Sequence, residues 1–113
     1  MIWWFPDMAR IDNHVFQSGA KIFDSRDNWI GTLEAAVFND NMRVIDRRTG
    51  DKIGYFRPYG LRAGGGFFDL QENRIGAFEP HGFGDGGSFE DASGRKVARF
   101  SPFGFKAGGR IER

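Results

Sequence analysis

Small, aliphatic and aromatic residues form short stretches of the chain that are bounded by polar segments. In Lys52–Phe56 and Arg74–Phe78 an aliphatic residue, a glycine and an aromatic residue follow one another within five positions. Side chains of a strand point alternately to its two faces, so this period of two predicts β-strands. The segments between these stretches are rich in Asn, Asp and Gly, which predict tight turns. The pattern therefore predicts short strands joined by turns.

The same stretch recurs along the chain. A small residue that follows an aliphatic one returns at steps of 23, 22 and 22 residues, at Gly31, Gly54, Gly76 and Ala98. An acidic residue precedes each copy, at Asp24, Asp46, Asp69 and Glu90. An apolar residue follows two positions later, at Leu33, Phe56, Phe78 and Phe100. Internal repeats of this length are typical of repeated supersecondary units.

A second set of repeated positions supports this interpretation. Pro58, Pro80 and Pro102 each begin a Pro-x-Gly frame and are spaced by 22 residues. One further apolar column recurs at Phe16, Phe38, Leu61, Phe83 and Phe105. These columns indicate four copies, with a fifth half-copy that lets the first and last strands meet.

The alternation also sorts the two faces of the predicted strands. One face carries the aliphatic residues Ile30, Ile53, Ile75 and Val97. The other carries the small residues together with Leu33, Phe56, Phe78 and Phe100. A glycine beside a large residue fits strands that converge on a narrow centre, where the neighbouring backbone approaches closely. We therefore expect an all-β fold, a shallow closed barrel of four pseudo-symmetric β-hairpin repeats of about 22 residues. Residues 14–113 would form this single domain, preceded by an aromatic segment, 1–13.

The acids that lead each turn have an ordinary structural explanation. Asp24, Asp46 and Asp69 are expected to accept hydrogen bonds from amides of the turns that follow. The alternative, a calcium loop, lacks the twelve-residue spacing and the closing glutamate of such loops. We therefore predict no metal site.

Composition narrows the functional classes. The 16 basic and 15 acidic residues are spread along the chain, so we expect no nucleic-acid partner. There is no cysteine, which excludes disulfides and fits a reducing compartment. No signal peptide or transmembrane helix is predicted, which favours a cytoplasmic protein with optional membrane association.

Catalytic chemistry has little support in the sequence. Residues 82–87 spell a Gly-x-Gly-x-x-Gly pattern, but no helix is predicted after it, and the repeat explains its glycines. The two histidines, His14 and His81, lie 67 residues apart without a local carboxylate cluster. We therefore expect no enzyme activity and no cofactor.

The aromatic residues are the remaining candidates for binding. They serve first as core, but Tyr55, Tyr59, His81 and Phe103 are candidates for the rim of an apolar pocket along the barrel axis. Trp3 and Trp4 lie in an apolar N-terminal segment that either packs on the domain or anchors it to a membrane or a partner.

The acid, turn and aliphatic-glycine motif in four copies resembles the four-fold β-flower proteins, which are small bacterial repeat proteins. The resemblance covers about residues 14–113; Asp24, Asp46, Asp69 and the three glycines match it, whereas Glu90 and Ala98 depart. It implies hairpins arranged as petals of a shallow barrel, with distant similarity to Tubby-type barrels, some of which bind membrane phospholipids. MORN and YD repeats share the period and fit less well.

Two functions follow as expectations. The first is a non-enzymatic binding module that contacts lipid or another apolar ligand. The second is a protein-interaction or self-assembling module, present as a homo-oligomer that hides one apolar face.

Overall fold

The structure is a computed structural model that describes residues 4–12, 19–35, 41–81, 86–103 and 108–113. All of its regular elements are β-strands, which confirms the all-β prediction. The ten strands are β1 Met8–Ile11, β2 Ala20–Asp24, β3 Trp29–Glu34, β4 Met42–Asp46, β5 Lys52–Pro58, β6 Gly65–Asp69, β7 Arg74–Pro80, β8 Gly87–Asp91, β9 Lys96–Pro102 and β10 Gly109–Glu112.

The strands form one closed antiparallel barrel in chain order, and β1 pairs with β10 to complete the ring. A closed barrel is therefore confirmed. The prediction of four hairpins was wrong, because four hairpins would supply eight strands and the barrel has ten. The additional pair consists of the first and last strands.

The pair formed by β10 and β1 has the register of a hairpin. Ile11 faces Gly109 and Arg10 faces Arg110, as Phe100 faces Gly87 and Arg99 faces Ser88 in the β8–β9 hairpin. The strand Met8–Ile11 thus occupies the repeat position of Val97–Phe100. The strand β1 falls within the expected N-terminal segment, 1–13, and is one of the strands of the barrel.

Aspartates close three of the hairpin turns in the same way. Asp24 Oδ1 accepts hydrogen bonds from the backbone amides of Arg26 and Asn28, at 2.9 and 2.8 Å. Asp69 repeats this with the amides of Gln71 and Asn73, both at 2.9 Å. In the longer turn after β4, Asp46 Oδ1 accepts from the amide of Arg48 at 3.0 Å. These bonds hold the turn donors that the strand ladder cannot satisfy.

The acid of the fourth turn is Asp91, not Glu90. Asp91 Oδ1 accepts from the backbone amides of Ser93 and Arg95, both at 3.0 Å. Glu90 lies one position earlier, opposite Lys96 in the ladder. The sequence interpretation was displaced by one residue because two acids stand side by side and Phe89 resembles Phe23 and Phe68.

Apolar side chains fill the interior along the barrel axis. Two inner layers of large residues consist of Ile22, Val44, Phe67, Phe89 and Ile111, and of Ile11, Leu33, Phe56, Phe78 and Phe100. The rings of Phe67 and Phe89 lie 6.3 Å apart between centroids, and those of Phe78 and Phe89 lie 5.1 Å apart. The aliphatic residues of the opposite face, Ile30, Ile53, Ile75 and Val97, are only partly buried.

Glycines at the start of three strands make room for phenylalanines of the preceding strand. A Cβ built at Gly87 would lie 2.7 Å from Cζ of Phe78, and one at Gly109 would lie 2.7 Å from Cε1 of Phe100. At this repeat position β4 has Met42 instead of glycine, and the preceding strand has Leu33, which is smaller than phenylalanine. Residue sizes therefore compensate one another between neighbouring strands, as close packing requires.

The glycines near the hairpin turns accommodate the N-terminal segment. A Cβ at Gly31 would collide with the ring of Phe5, and a Cβ at Gly54 with the ring of Trp4 and the carbonyl of Phe68. Phe5 is buried, at 8% exposure. The sequence analysis attributed these glycines to the close approach of strands at a narrow centre. That explanation was incomplete, because the rings of Phe5 and Trp4 occupy most of the space over Gly31 and Gly54.

The fit between Phe78 and Gly87 can be tested by coupled substitutions. Gly87→Ala is expected to lower the free energy of unfolding by about 1–3 kcal/mol, because the new methyl group overpacks the site. Adding Phe78→Leu should recover part of this loss. The free energy of unfolding of the double variant should then exceed the value expected from the sum of the two single losses by about 0.5 kcal/mol or more. Urea unfolding of all four proteins measures the coupling, and additive losses would contradict the fit.

The role of Asp91 predicts a change of stability in acid. The Ser93 hydroxyl, followed by the Arg95 amide, lowers the pKa of Asp91 from 3.8 to about 2. Because the folded-state pKa is depressed, the stabilisation is present above pH 3.8 and is lost as the pH falls towards 2. Urea unfolding across this range should show a shallower decline for Asp91→Asn than for the unmodified protein. Glu90→Gln is the control and should keep the decline; the reverse result would restore Glu90 as the turn acid.

Candidate functional site at the loop end

The two ends of the barrel differ in their connections. Turns join β2–β3, β4–β5, β6–β7 and β8–β9 at one end, called here the turn end. The connections β1–β2, β3–β4, β5–β6, β7–β8 and β9–β10 are longer and leave the opposite end, called the loop end. Only the β5–β6 connection, 59–64, is described throughout. Functional residues concentrate on loops carried by a rigid scaffold, so the loop end is the first candidate.

The β5–β6 loop has a defined backbone. The amide of Tyr59 donates to the carbonyl of Gly64 at 3.1 Å, and Gly60 and Gly64 have positive φ angles of 88° and 94°. The amides of His81 and Phe103 donate to Gly86 and Gly108 in the same manner, at 3.0 and 3.1 Å. The Pro-x-Gly frame therefore reflects a repeated loop closure.

Three side chains hold the β5–β6 loop against the next strand. The Tyr59 hydroxyl donates to Oε2 of Glu79, and Nη1 of Arg62 donates to Oε1 of the same carboxylate at 2.9 Å. The Arg62 guanidinium also lies 4.0 Å from the centroid of the Tyr59 ring. We call these residues the Tyr59–Glu79–Arg62 cluster.

The cluster shifts the ionisation of its members. Burial, followed by the hydrogen bond to Glu79, raises the pKa of Tyr59. Burial also acts to raise the pKa of Glu79, but hydrogen bonds from Tyr59 and Arg62 outweigh it and leave that pKa below its usual value. The hydrogen bond to Glu79 raises the pKa of Arg62. Glu79 is thus a carboxylate, and Tyr59 a phenol, over the physiological range.

Leu61 projects from the apex of this loop into solvent. Its exposure is 104%, against 47% for Leu70 and 37% for Trp29, the other large apolar residues exposed in the described part of the chain. Leu61 belongs to the repeated apolar column, whose other members, Phe16, Phe38, Phe83 and Phe105, lie outside the described residues. The sequence places each of these four in one of the other connections of the loop end.

Tyr55, one of the four residues predicted at the rim of an axial pocket, does not face the barrel axis. Its side chain lies on the outer surface, where its hydroxyl accepts a hydrogen bond from Nζ of Lys52 at 2.8 Å. Tyr59, His81 and Phe103 do share the loop end, each directly after a strand. The layers of phenylalanine occupy the axis below them, so these residues surround packed side chains.

Of the two N-terminal tryptophans, the structure describes Trp4. Trp4 lies at the turn end, partly buried, with its ring edge-on to Phe67 at 6.1 Å between centroids. It is therefore separated from Tyr59, His81 and Phe103 by the length of the barrel. Trp3 lies outside the described residues.

Sequence reasoning missed Glu79 and Arg62. They are 17 positions apart, and the same column as Glu79 holds Arg57 and Ser101 in the neighbouring copies. A contact between residues of neighbouring repeats produces no recognisable spacing in the sequence. The one available signal was the Arg that follows the apolar apex residue.

Over the described ranges, no group of three or more His, Asp or Glu side chains is placed to hold a metal ion. No helix in that part of the chain is long and apolar enough to cross a bilayer.

Comparison with family models, with curated proteins and with solved structures gave no match to this chain. The resemblance to the four-fold β-flower proteins therefore stays a prediction.

The cluster predicts the titration of Tyr59. In a Tyr55→Phe background Tyr59 is the sole tyrosine, so the ultraviolet absorbance of tyrosinate reports its pKa directly. Glu79→Gln should lower this pKa, because the carboxylate that opposes phenol ionisation is removed. Glu72→Gln, which alters a partner of Arg57, is the control. An unchanged pKa in Glu79→Gln would show that the hydrogen bond has no energetic role.

Proposed function

We propose that this protein is a non-enzymatic module that binds a neutral lipid surface through its loop end. The observation that supports the proposal most is the complete exposure of Leu61 at the apex of a loop held by the Tyr59–Glu79–Arg62 cluster. A large apolar side chain held away from the protein gains nothing from folding. It gains free energy when another apolar phase removes it from water.

The repeat multiplies this contact. Transfer of one leucine or phenylalanine out of water contributes about 1.5–3 kcal/mol when burial is complete. One residue alone would bind weakly, but the apolar column supplies five positions in five connections of the same end. Several shallow insertions on one rigid barrel add their free energies, because the scaffold has already brought them together.

The charges of the loop segments favour a neutral surface over an anionic one. Residues 12–19, 35–41, 59–64, 81–86 and 103–108 contain three acids, Asp12, Asp40 and Asp85, and two bases, Arg62 and Lys106. Arg62 is already paired with Glu79. Anionic membranes are recognised by clusters of unpaired Lys and Arg, which this composition does not supply.

The proposed membrane contact lies at the loop end and not in the N-terminal segment. Trp4 was a candidate anchor, but it is partly buried over Gly54. A residue that closes the mouth of the barrel would have to leave its packing to enter a bilayer. Leu61 needs no such rearrangement.

Self-association through the loop end is the second candidate. The same exposure of Leu61 would be relieved if two loop ends packed together. Both candidates use the same residues, so the state of the protein in solution and its binding to vesicles have to be measured separately.

Flotation with phosphatidylcholine vesicles tests the first candidate. Leu61→Asp should lower the partition coefficient about tenfold, because a carboxylate replaces an inserted side chain. Leu70→Asp is the matched control, an exposed leucine in the β6–β7 turn at the other end of the barrel. Substitution of all five column residues should abolish flotation, and added salt should leave it unchanged. Equal losses in Leu61→Asp and Leu70→Asp would contradict the proposal.

Light scattering after size exclusion tests the second candidate. If the unmodified protein fails to float and has a multiple of the monomer mass that Leu61→Asp reduces to one, the loop end is a self-association surface. A monomer that floats supports the lipid proposal.

A further inference from the structure

A separate cavity opens at the turn end, far from the loops. It has a volume of about 520 Å³ and lies between the N-terminal residues 4–7 and the turns that follow β2 and β4. Small-molecule sites in proteins commonly measure about 300–1,000 Å³. Its residues include two tryptophans and two arginines, a combination that the loop-end proposal does not use.

The apolar walls of the cavity are held in place before any ligand arrives. Phe5 and Trp4 occupy the space over Gly31 and Gly54, which fixes one wall. Trp29 forms part of another, and its Nε1 donates to the carbonyl of Gly31 at 2.9 Å and to Oγ1 of Thr32 at 3.1 Å. Flat walls held in this way favour a flat apolar ligand, because little side-chain entropy is lost on binding.

The two arginines bring positive charge to the cavity: Arg47 lies over the Trp29 ring, and Arg48 forms a long ion pair with Asp46. The Arg47 guanidinium lies 4.2 Å from the centroid of the Trp29 ring, and its backbone amide is tied to the carbonyl of Ile30 at 3.1 Å. The Arg48 side chain is 87% exposed, and its Nη2 lies 3.9 Å from Oδ2 of Asp46, beyond hydrogen-bond distance. Over the described residues, neither guanidinium donates a hydrogen bond.

Two of the three acids in the lining are already engaged. The carboxylate of Asp24 accepts from two turn amides and from Nδ2 of Asn28, and Oδ1 of Asp46 accepts from the amide of Arg48. Asp7 is exposed and places a negative charge at the edge of the cavity. The groups left to donate hydrogen bonds to a ligand are therefore the two guanidinium groups. The neutral amides that hold Asp24 and Asp46 do not cancel their charges, so all three carboxylates of the lining oppose an anion, and the contacts of both guanidinium groups with it have to outweigh them.

We propose that this cavity binds a small aromatic carboxylate, with its ring against the aromatic lining and its carboxylate on Arg47 and Arg48. Guanidinium groups form strong charge-assisted hydrogen bonds with carboxylates. The site is independent of the loop end, so its test and the vesicle test can succeed or fail separately.

The experiment is a titration of the ¹⁵N-labelled protein with 1-naphthylacetate, followed through the indole N–H signals of Trp4 and Trp29. Saturable shifts of these two signals are expected. The neutral isostere 1-naphthylacetamide should bind about tenfold more weakly or worse, since it cannot form the charged pair.

Variants identify the groups responsible. Arg47→Ala/Arg48→Ala should weaken binding of 1-naphthylacetate about tenfold or more. Arg26→Ala is the matched control in the neighbouring turn, because the Arg26 side chain is outside the lining and its amide bond to Asp24 is retained. Asp7→Asn should strengthen binding about two- to fivefold by removing a like charge.

Three results would overturn the proposal. They are the absence of a saturable shift at either indole, equal affinity for the acid and the amide, and weaker binding of the acid by Asp7→Asn. The last result would indicate that the cavity prefers a cation. Thermal unfolding of each variant confirms that a lost signal reflects binding rather than folding.

Discussion

The pairing of β1 with β10 is the constraint on which the barrel depends. Those two strands come from opposite ends of the described chain, yet they meet in the register of a covalently joined hairpin. Without this pairing β1 and β10 would each present a row of unpaired backbone groups, and the layers of phenylalanine would be open on one side. Closure therefore determines both the number of strands and the burial of the core.

A second general feature is that large side chains lie over glycines of neighbouring strands. Large rings at Phe56, Phe78 and Phe100 lie over glycines at the start of the next strand, and the N-terminal aromatics lie over glycines near the turns. The glycines of this chain thus serve packing as well as turns. The same arrangement leaves the axis filled with packed side chains.

The sequence was sufficient to predict the strands and turns that recur within each repeat. The short apolar stretches Lys52–Phe56 and Arg74–Phe78 indicated strands, and Asp24 and Asp69 before polar segments that end in asparagine indicated their turns. It was insufficient where a repeat is divided or displaced. Met8–Ile11 lacks the glycine of its counterparts and lies a whole chain away from β10, while Glu90 beside Asp91 offered two choices of register. The pairing of Glu79 with Arg62 and the inward packing of Trp4 depend on tertiary contacts between copies, for which no spacing rule exists.

The fifth pair of strands has no connecting turn, and this has a mechanical consequence. Arg113 and the start of β1 lie at the same end of the barrel, where Nη2 of Arg113 donates to the carbonyl of Met8 at 3.2 Å. Tension applied through the two ends of this segment would act across neighbouring antiparallel strands at one edge. The ladder bonds between β1 and β10 would then break one after another, as in a zipper, instead of sharing the load. A barrel that is closed on all sides to thermal fluctuation therefore has one direction in which a small pulling force opens it.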